Sequence, residues 1–157
     1  MSADFYIFGG TFDPIHEGHV GVLRELSAKN VVIAPTEINP FKNQPSQSLA
    51  KRIKMIERVL DYEKIEHSML DPKLSPEKGL YISDFKYSYV CDFVTWWQSN
   101  FSGEIFWVIG PDLLEQVKTW KNWDIMNLKV YVCKSYANGL HSTDVRELKH
   151  PMHPALR

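Results

Sequence analysis

The chain has 157 residues, enough to bury a core of its own, and 44% of them are hydrophobic against 24% charged, an ordinary globular balance. A formal charge of -1 leaves no basic field to gather nucleic acid, so duplex binding is not expected. Two cysteines, Cys91 and Cys133, without metal-ligand spacing, and no signal-type or membrane-length apolar run, point to a cytoplasmic protein without a membrane partner.

In chain order, Phe5-Tyr6-Ile7-Phe8 is a short apolar run closed by Gly9-Gly10, which predicts a buried strand ending in a turn. From His19 onward Val20, Leu23 and Leu26 recur at helical spacing, and Asn30 introduces a second buried strand, Val31 to Ala34, ended by Pro35. Residues 35–48 read as a loop, and Leu49, Ile53, Ile56 and Leu60 mark one face of a second helix. A third strand is expected over Lys64 to Met69, a polar turn over Asp71 to Gly79, and a third amphipathic helix at Val90, Phe93, Val94 and Trp97. Glu104 to Ile109 and Lys129 to Cys133 read as strands, with helical segments at Asp112 to Lys118 and Lys121 to Met126 between them. No internal repeat occurs. Alternating elements whose strands are apolar on both faces predict a single α/β domain over residues 1–157, a doubly wound parallel sheet with its ligand crevice at the carboxyl ends of the strands.

The stretch "FGGTFDPIHEGH", Phe8 to His19, lies where such a crevice opens. Glycines past a strand end let backbone approach an anion, and a helix N-terminus favours negative charge. His16 and His19, spaced as His-x-Gly-His, can point both rings at one phosphate, each giving an N–H donor and, if protonated, a positive charge. Donors aimed at charge developing on phosphorus act by positioning and electrostatics, without a covalent intermediate. A plainer reading keeps Gly9-Gly10 as a turn, His16 as a cap and His19 as a partly buried helix residue. The P-loop pattern and the dinucleotide Gly-x-Gly-x-x-Gly pattern are both absent.

Gly10-Thr11-Phe12-Asp13-Pro14-Ile15-His16-Glu17-Gly18-His19 resembles the signature of the His-x-Gly-His nucleotidyltransferase superfamily, and "GGTFDPIHEGH" looks most like the nicotinate-mononucleotide adenylyltransferases. Pantetheine-phosphate adenylyltransferases share the Gly-Thr-Phe-Asp-Pro start but usually carry Thr-Asn-Gly-His. Further segments follow in the family's order. "NPFK", Asn39 to Lys42, resembles its Pro-Pro-His-Lys loop, whose lysine contacts phosphates; "IGPD", Ile109 to Asp112, resembles Ile-Gly-Ala-Asp, where Gly110 and Asp112 would meet the nucleotide. "TWKNWDIM" resembles a segment whose first tryptophan, here Trp120, lies against the nicotinate ring. "HSTDVR" resembles Ile-Ser-Ser-Thr-x-Ile-Arg, in which Ser142 and Thr143 open a helix facing ATP phosphates and Arg146 adds a fixed charge. Each segment has a plainer reading by itself: Lys42 as a surface lysine, Asp112 and Ser142 as helix caps, Trp120 as a core aromatic, Arg146 as a surface cation.

The resemblance implies a Rossmann-like nucleotidyltransferase fold and adenylyl transfer from ATP to nicotinate mononucleotide, with Mg2+ accompanying ATP and no metal cage of the protein's own. It implies catalytic roles for His16, His19 and Lys42. ATP would be bound by Gly9, Gly10, Thr11, Phe12, Gly18, Gly110, Asp112, Ser142, Thr143 and Arg146, and the pyridine substrate by Tyr89, Val90 and Trp120. Val90 stands where the family often has threonine and cannot hydrogen-bond a carboxylate. Lys134 to Leu140 is a short link where another strand is usual, and the helical tail is expected to be short or missing. His150 and His153 flank Met152 there; a loose polar end is expected rather than a metal site. Transfer to phosphopantetheine or another phosphate monoester, or nucleotide binding without turnover, are the competing readings.

Overall fold

The computed structural model describes residues 4–38, 45–74, 76–134 and 152–157. Six strands, β1 (Phe5–Gly10), β2 (Val31–Pro35), β3 (Ser68–Met69), β4 (Leu80–Ile82), β5 (Ile105–Ile109) and β6 (Lys129–Val132), form one sheet of order β3-β4-β2-β1-β5-β6. Every pairing is parallel. Among the described residues the α-helices are α1 (Glu17–Glu25), α2 (Leu49–Tyr62), α3 (Val90–Asn100) and the single turn α4 (Trp123–Met126).

Alternate residues of the central strands enter two separate cores. Phe8, Ile33, Ile82 and Val108 pack with Val20, Leu23, Ile56 and Leu60 of α1 and α2. Phe5, Ile7, Val32, Ala34, Trp107 and Ile109 pack instead with Phe93 and Trp97 of α3. This period-two division between two covered faces is why the strands read as unbroken apolar runs, and it makes the sheet doubly wound. Each large side chain fully withdrawn from water, such as Phe8 or Trp97, contributes about 1.5–3 kcal/mol.

The structure departs from the sequence expectations in three places. Only Ser68 and Met69 pair as a strand, because Lys64, just past the α2 C-cap Glu63, takes a left-handed φ of 58° and turns the chain. Leu80–Ile82 supplies the strand beside β2 instead, in a run of three residues too short to show a period. The first helical segment expected between β5 and β6, Asp112 to Lys118, is two 3-10 turns, Pro111–Leu113 and Gln116–Thr119, whereas the second, Lys121 to Met126, forms as the single turn α4, bracketed by Asn122 and Asn127 in left-handed conformations.

Candidate active site

β1 is central, with β2 on one side and β5 on the other, so the chain winds away in opposite directions on either side of the β1/β5 boundary. Ligands of open parallel sheets bind at such a boundary, outside the carboxyl ends of the strands. The exits of β1 at Gly10 and of β5 at Ile109 therefore place Thr11 and Gly110-Pro111-Asp112 on the two sides of one crevice. Gly110 precedes the 3-10 turn, and Asp112 is exposed in its first turn.

α1 starts two residues earlier than its apolar spacing suggests, because His16 caps it. The Gly18 amide donates to His16 Nδ1 at 3.0 Å, and the His16 amide donates to His19 Nδ1 at 3.0 Å. This is a reciprocal capping box with histidines in both roles. A ring nitrogen that accepts an amide proton must carry a lone pair, so each neutral ring bears its proton on Nε2. The two rings stack with centroids 3.8 Å apart and are 1% and 5% exposed. Phe12 is buried beneath them, its ring centroid 4.6 Å from that of His19 and its backbone at a φ of 51°.

The capping bonds change how an anion would be held. The amides of Gly18 and His19 are occupied, by His16 Nδ1 and by the His16 carbonyl at 3.0 Å. The Gly18 amide is thus taken up by the cap, so an anion at this turn would meet ring N–H groups rather than that amide, and the capping bonds use neutral imidazoles rather than charged ones. The plainer reading of His16 as a cap holds, and the capping bonds orient both rings. Among the described residues Thr11 Oγ1 is enclosed with no hydrogen-bond partner.

Gly9 owes its small size to packing. A β-carbon there would stand 2.3 Å from Trp107 Cζ2 and 3.1 Å from the Tyr87 hydroxyl. Trp107 pairs with Ile7 across the sheet, so its indole reaches diagonally over Gly9 on the same face. A β-carbon on Gly10 would meet Phe12 at 3.4 Å. Trp107 in turn meets Trp120 edge-on at 6.5 Å, and Lys121, the next residue, holds Nζ 4.5 Å from the centre of the Tyr89 ring. Tyr89 caps α3 and Val90 is its first residue; both are half-buried, as is Trp120. Of the expected pyridine-side residues, Trp120 is linked through Trp107 to the exit of β1, and Tyr89 is met by Lys121, the residue after Trp120. Tyr87 donates to the Ala34 carbonyl, and burial drives its phenol far above the ordinary value.

Lys42, Ser142, Thr143 and Arg146 lie outside the described residues. Two buried titratable side chains, Arg52 and His153, were not expected from the sequence to be buried. Arg52, 1% exposed on the buried face of α2, binds backbone carbonyls around the crevice, and burial lowers its pKa against the opposing charges of Asp13 and Glu37. His153 is not part of a loose end: it is 0% exposed against Glu63 and Glu17. Among the described residues these three offer one ligand atom each within 4.8 Å of one another. His153 Nδ1 accepts from the Ala155 amide, so Nε2 carries the proton and donates to Glu63, the wrong role for a metal ligand. A groove of about 740 Å³ lined by Lys64, His67, Lys78 and Tyr81 opens at the amino ends of β3 and β4, the end of the sheet opposite the crevice.

The cytidylyltransferase-like family model matches residues 7–148. A Neisseria meningitidis protein described as a "Probable nicotinate-nucleotide adenylyltransferase" is 32% identical over 149 residues, which span 90% of this chain and 71% of that protein. Plasmodium falciparum nicotinic acid mononucleotide adenylyltransferase, solved with NaAD, shares the fold with a TM-score of 0.65 at 16% identity, over 92% of this chain and 83% of that one. A bifunctional NMN adenylyltransferase/ADP ribose pyrophosphatase from Francisella tularensis matches with a TM-score of 0.61 at 19% identity, over 93% of this chain and 42% of that one.

Proposed function

This chain belongs to the cytidylyltransferase-like family, and we propose that it transfers the adenylyl group of ATP to nicotinate mononucleotide, forming the deamido dinucleotide and pyrophosphate. A phosphate oxygen of the mononucleotide attacks the α-phosphorus in line, the bond from that phosphorus to the bridging oxygen of the β-phosphate breaks, and pyrophosphate leaves with the electron pair. The observation that carries this reading is the stacked, capped His16–His19 pair beside the exit of β1. Their Nε2 protons are suited to the equatorial oxygens, where charge builds in the transition state.

Thr11 would bind the α-phosphate region, and Gly110 and Asp112 the nucleoside side of ATP. Lys42, Ser142, Thr143 and Arg146 would hold the phosphates. Tyr89, Val90 and Trp120 would receive the pyridine ring against the Trp107 face. ATP would arrive as its magnesium complex. Asp13 gives both carboxylate oxygens to Ser46, at 2.7 Å each, so a metal carried by phosphates and water suits the turn better than a carboxylate cage. Buried thiols at Cys91 and Cys133 fit a cytoplasmic enzyme, and no helix among the described residues is long and apolar enough to cross a membrane.

The test is pyrophosphate release from MgATP with nicotinate mononucleotide, nicotinamide mononucleotide and phosphopantetheine offered separately. Release with nicotinate mononucleotide at the highest kcat/KM is expected. Preference for phosphopantetheine would replace the acceptor, and silence with all three would leave a nucleotide-binding protein.

A further inference from the structure

Arg52 follows the first turn of α2 and points where the helix otherwise buries Ile53, Ile56, Val59 and Leu60. A cation in that place is held against a large desolvation penalty that hydrogen bonds must offset, and four of its five N–H donors are matched among the described residues. The partners are four backbone carbonyls. Nε donates to Gln47 at 3.0 Å, Nη1 to Thr11 and to Thr36 at 2.7 Å each, and Nη2 to Glu37 at 3.0 Å. They come from three different stretches: the turn after β1, the exit of β2 and the approach to α2. Asp13, 2% exposed, adds a second tie between the first and third, accepting from the Ser46 amide and hydroxyl.

An apolar side chain of similar volume could fill the space without the desolvation penalty. What it could not do is fix the distances between three loops, which requires a rigid fork of diverging N–H groups. One of the fixed residues is Thr11, whose hydroxyl is enclosed and without a partner among the described residues. We infer that Arg52 is a positioning residue of the nucleotide crevice: it holds the turn after β1 in register with the exit of β2, and the Asp13–Ser46 contact holds the same turn from its other end. The kinetic half of this inference rests on the adenylyl-transfer reading; the structural half does not.

The test uses the full chain with Arg52→Lys and Ser46→Ala, both milder than removal of the guanidinium, followed by segment-resolved amide hydrogen exchange and transfer kinetics. Lysine keeps the charge but, as a point donor, cannot span carbonyls of three loops. Exchange should rise at residues 11–14, 36–38 and 46–48 while α3 and β5 keep wild-type protection. In Arg52→Lys, kcat/KM for ATP should fall roughly tenfold to a hundredfold, with the acceptor KM little changed, and Ser46→Ala should show a smaller effect of the same kind. Unchanged exchange at the three loops, or full recovery of kcat/KM by lysine, would overturn the inference. If the wild-type chain releases no pyrophosphate, the functional reading fails, and the exchange pattern alone decides the role of Arg52.

Discussion

His153 Nε2 donates to Glu63 Oε1 at 2.8 Å, joining the final 3-10 turn, Pro154–Leu156, to the C-cap of α2. Arg24 of α1 reaches the other oxygen of the same carboxylate at 2.9 Å, Glu17 stands 3.6 Å from the same imidazole nitrogen, and the Tyr62 ring meets the imidazole edge-on. Ala155 and Leu156 pack beside it on the α1/α2 core. One carboxylate therefore ties together three stretches distant in sequence.

The hydrogen bond from His153, and after it Arg24, holds the Glu63 carboxyl below its ordinary value of 4.5. A carboxylate whose folded pKa is depressed stabilises the fold fully above its unfolded value and loses that contribution as pH falls through the folded one. Urea melts of wild type and Glu63→Gln should therefore differ most near neutrality and begin to converge only as pH falls below about 4.5. A gap that stays constant with pH would mean that the ion pair contributes nothing.

Gly9→Ala should destabilise the protein by about 1–3 kcal/mol, because its methyl group would enter the buried indole of Trp107. Thermal melts of Gly9→Ala, Trp107→Leu and the double variant check this. The double variant should be less destabilised than the sum of the two single changes, since the smaller side chain removes the clash.

His19→Ala should slow adenylyl transfer by roughly a hundredfold or more. For His16 the capping and catalytic roles can be separated. His16→Ala should lose transfer together with about 1 kcal/mol of stability, whereas His16→Asn, which can still cap α1, should lose transfer and keep its Tm. Retained turnover in His19→Ala would remove this pair from the mechanism.

Val90→Thr restores a hydroxyl at the first residue of α3. It should raise the kcat/KM ratio for nicotinate over nicotinamide mononucleotide severalfold, the effect of about one net hydrogen bond. An unchanged ratio would place selectivity elsewhere, with Lys121 above the Tyr89 ring as the nearest alternative.

β1, β2, β5 and β6 and the faces of α1, α2 and α3 were readable because each is a local pattern, a short apolar run or a helical spacing that burial on fixed faces demands. The His16–His19 pair was readable for the same reason, since His-x-Gly-His lies within four consecutive residues. The three residues of β4 carry no period, and only the vacant edge of β2 makes them a strand.

By its own order of residues the chain determined that strands alternate with helices and that two histidines meet at the turn after the first strand. Their neutral tautomers, the covering of Gly9 by Trp107, the burial of Arg52 and the seating of His153 were decided only in the tertiary structure. The acceptor of Arg52 Nη1 at Thr11 is 41 residues away and the acceptor of His153 at Glu63 is 90 away. A charged side chain reads as surface until folding brings it the partners that make its burial tolerable.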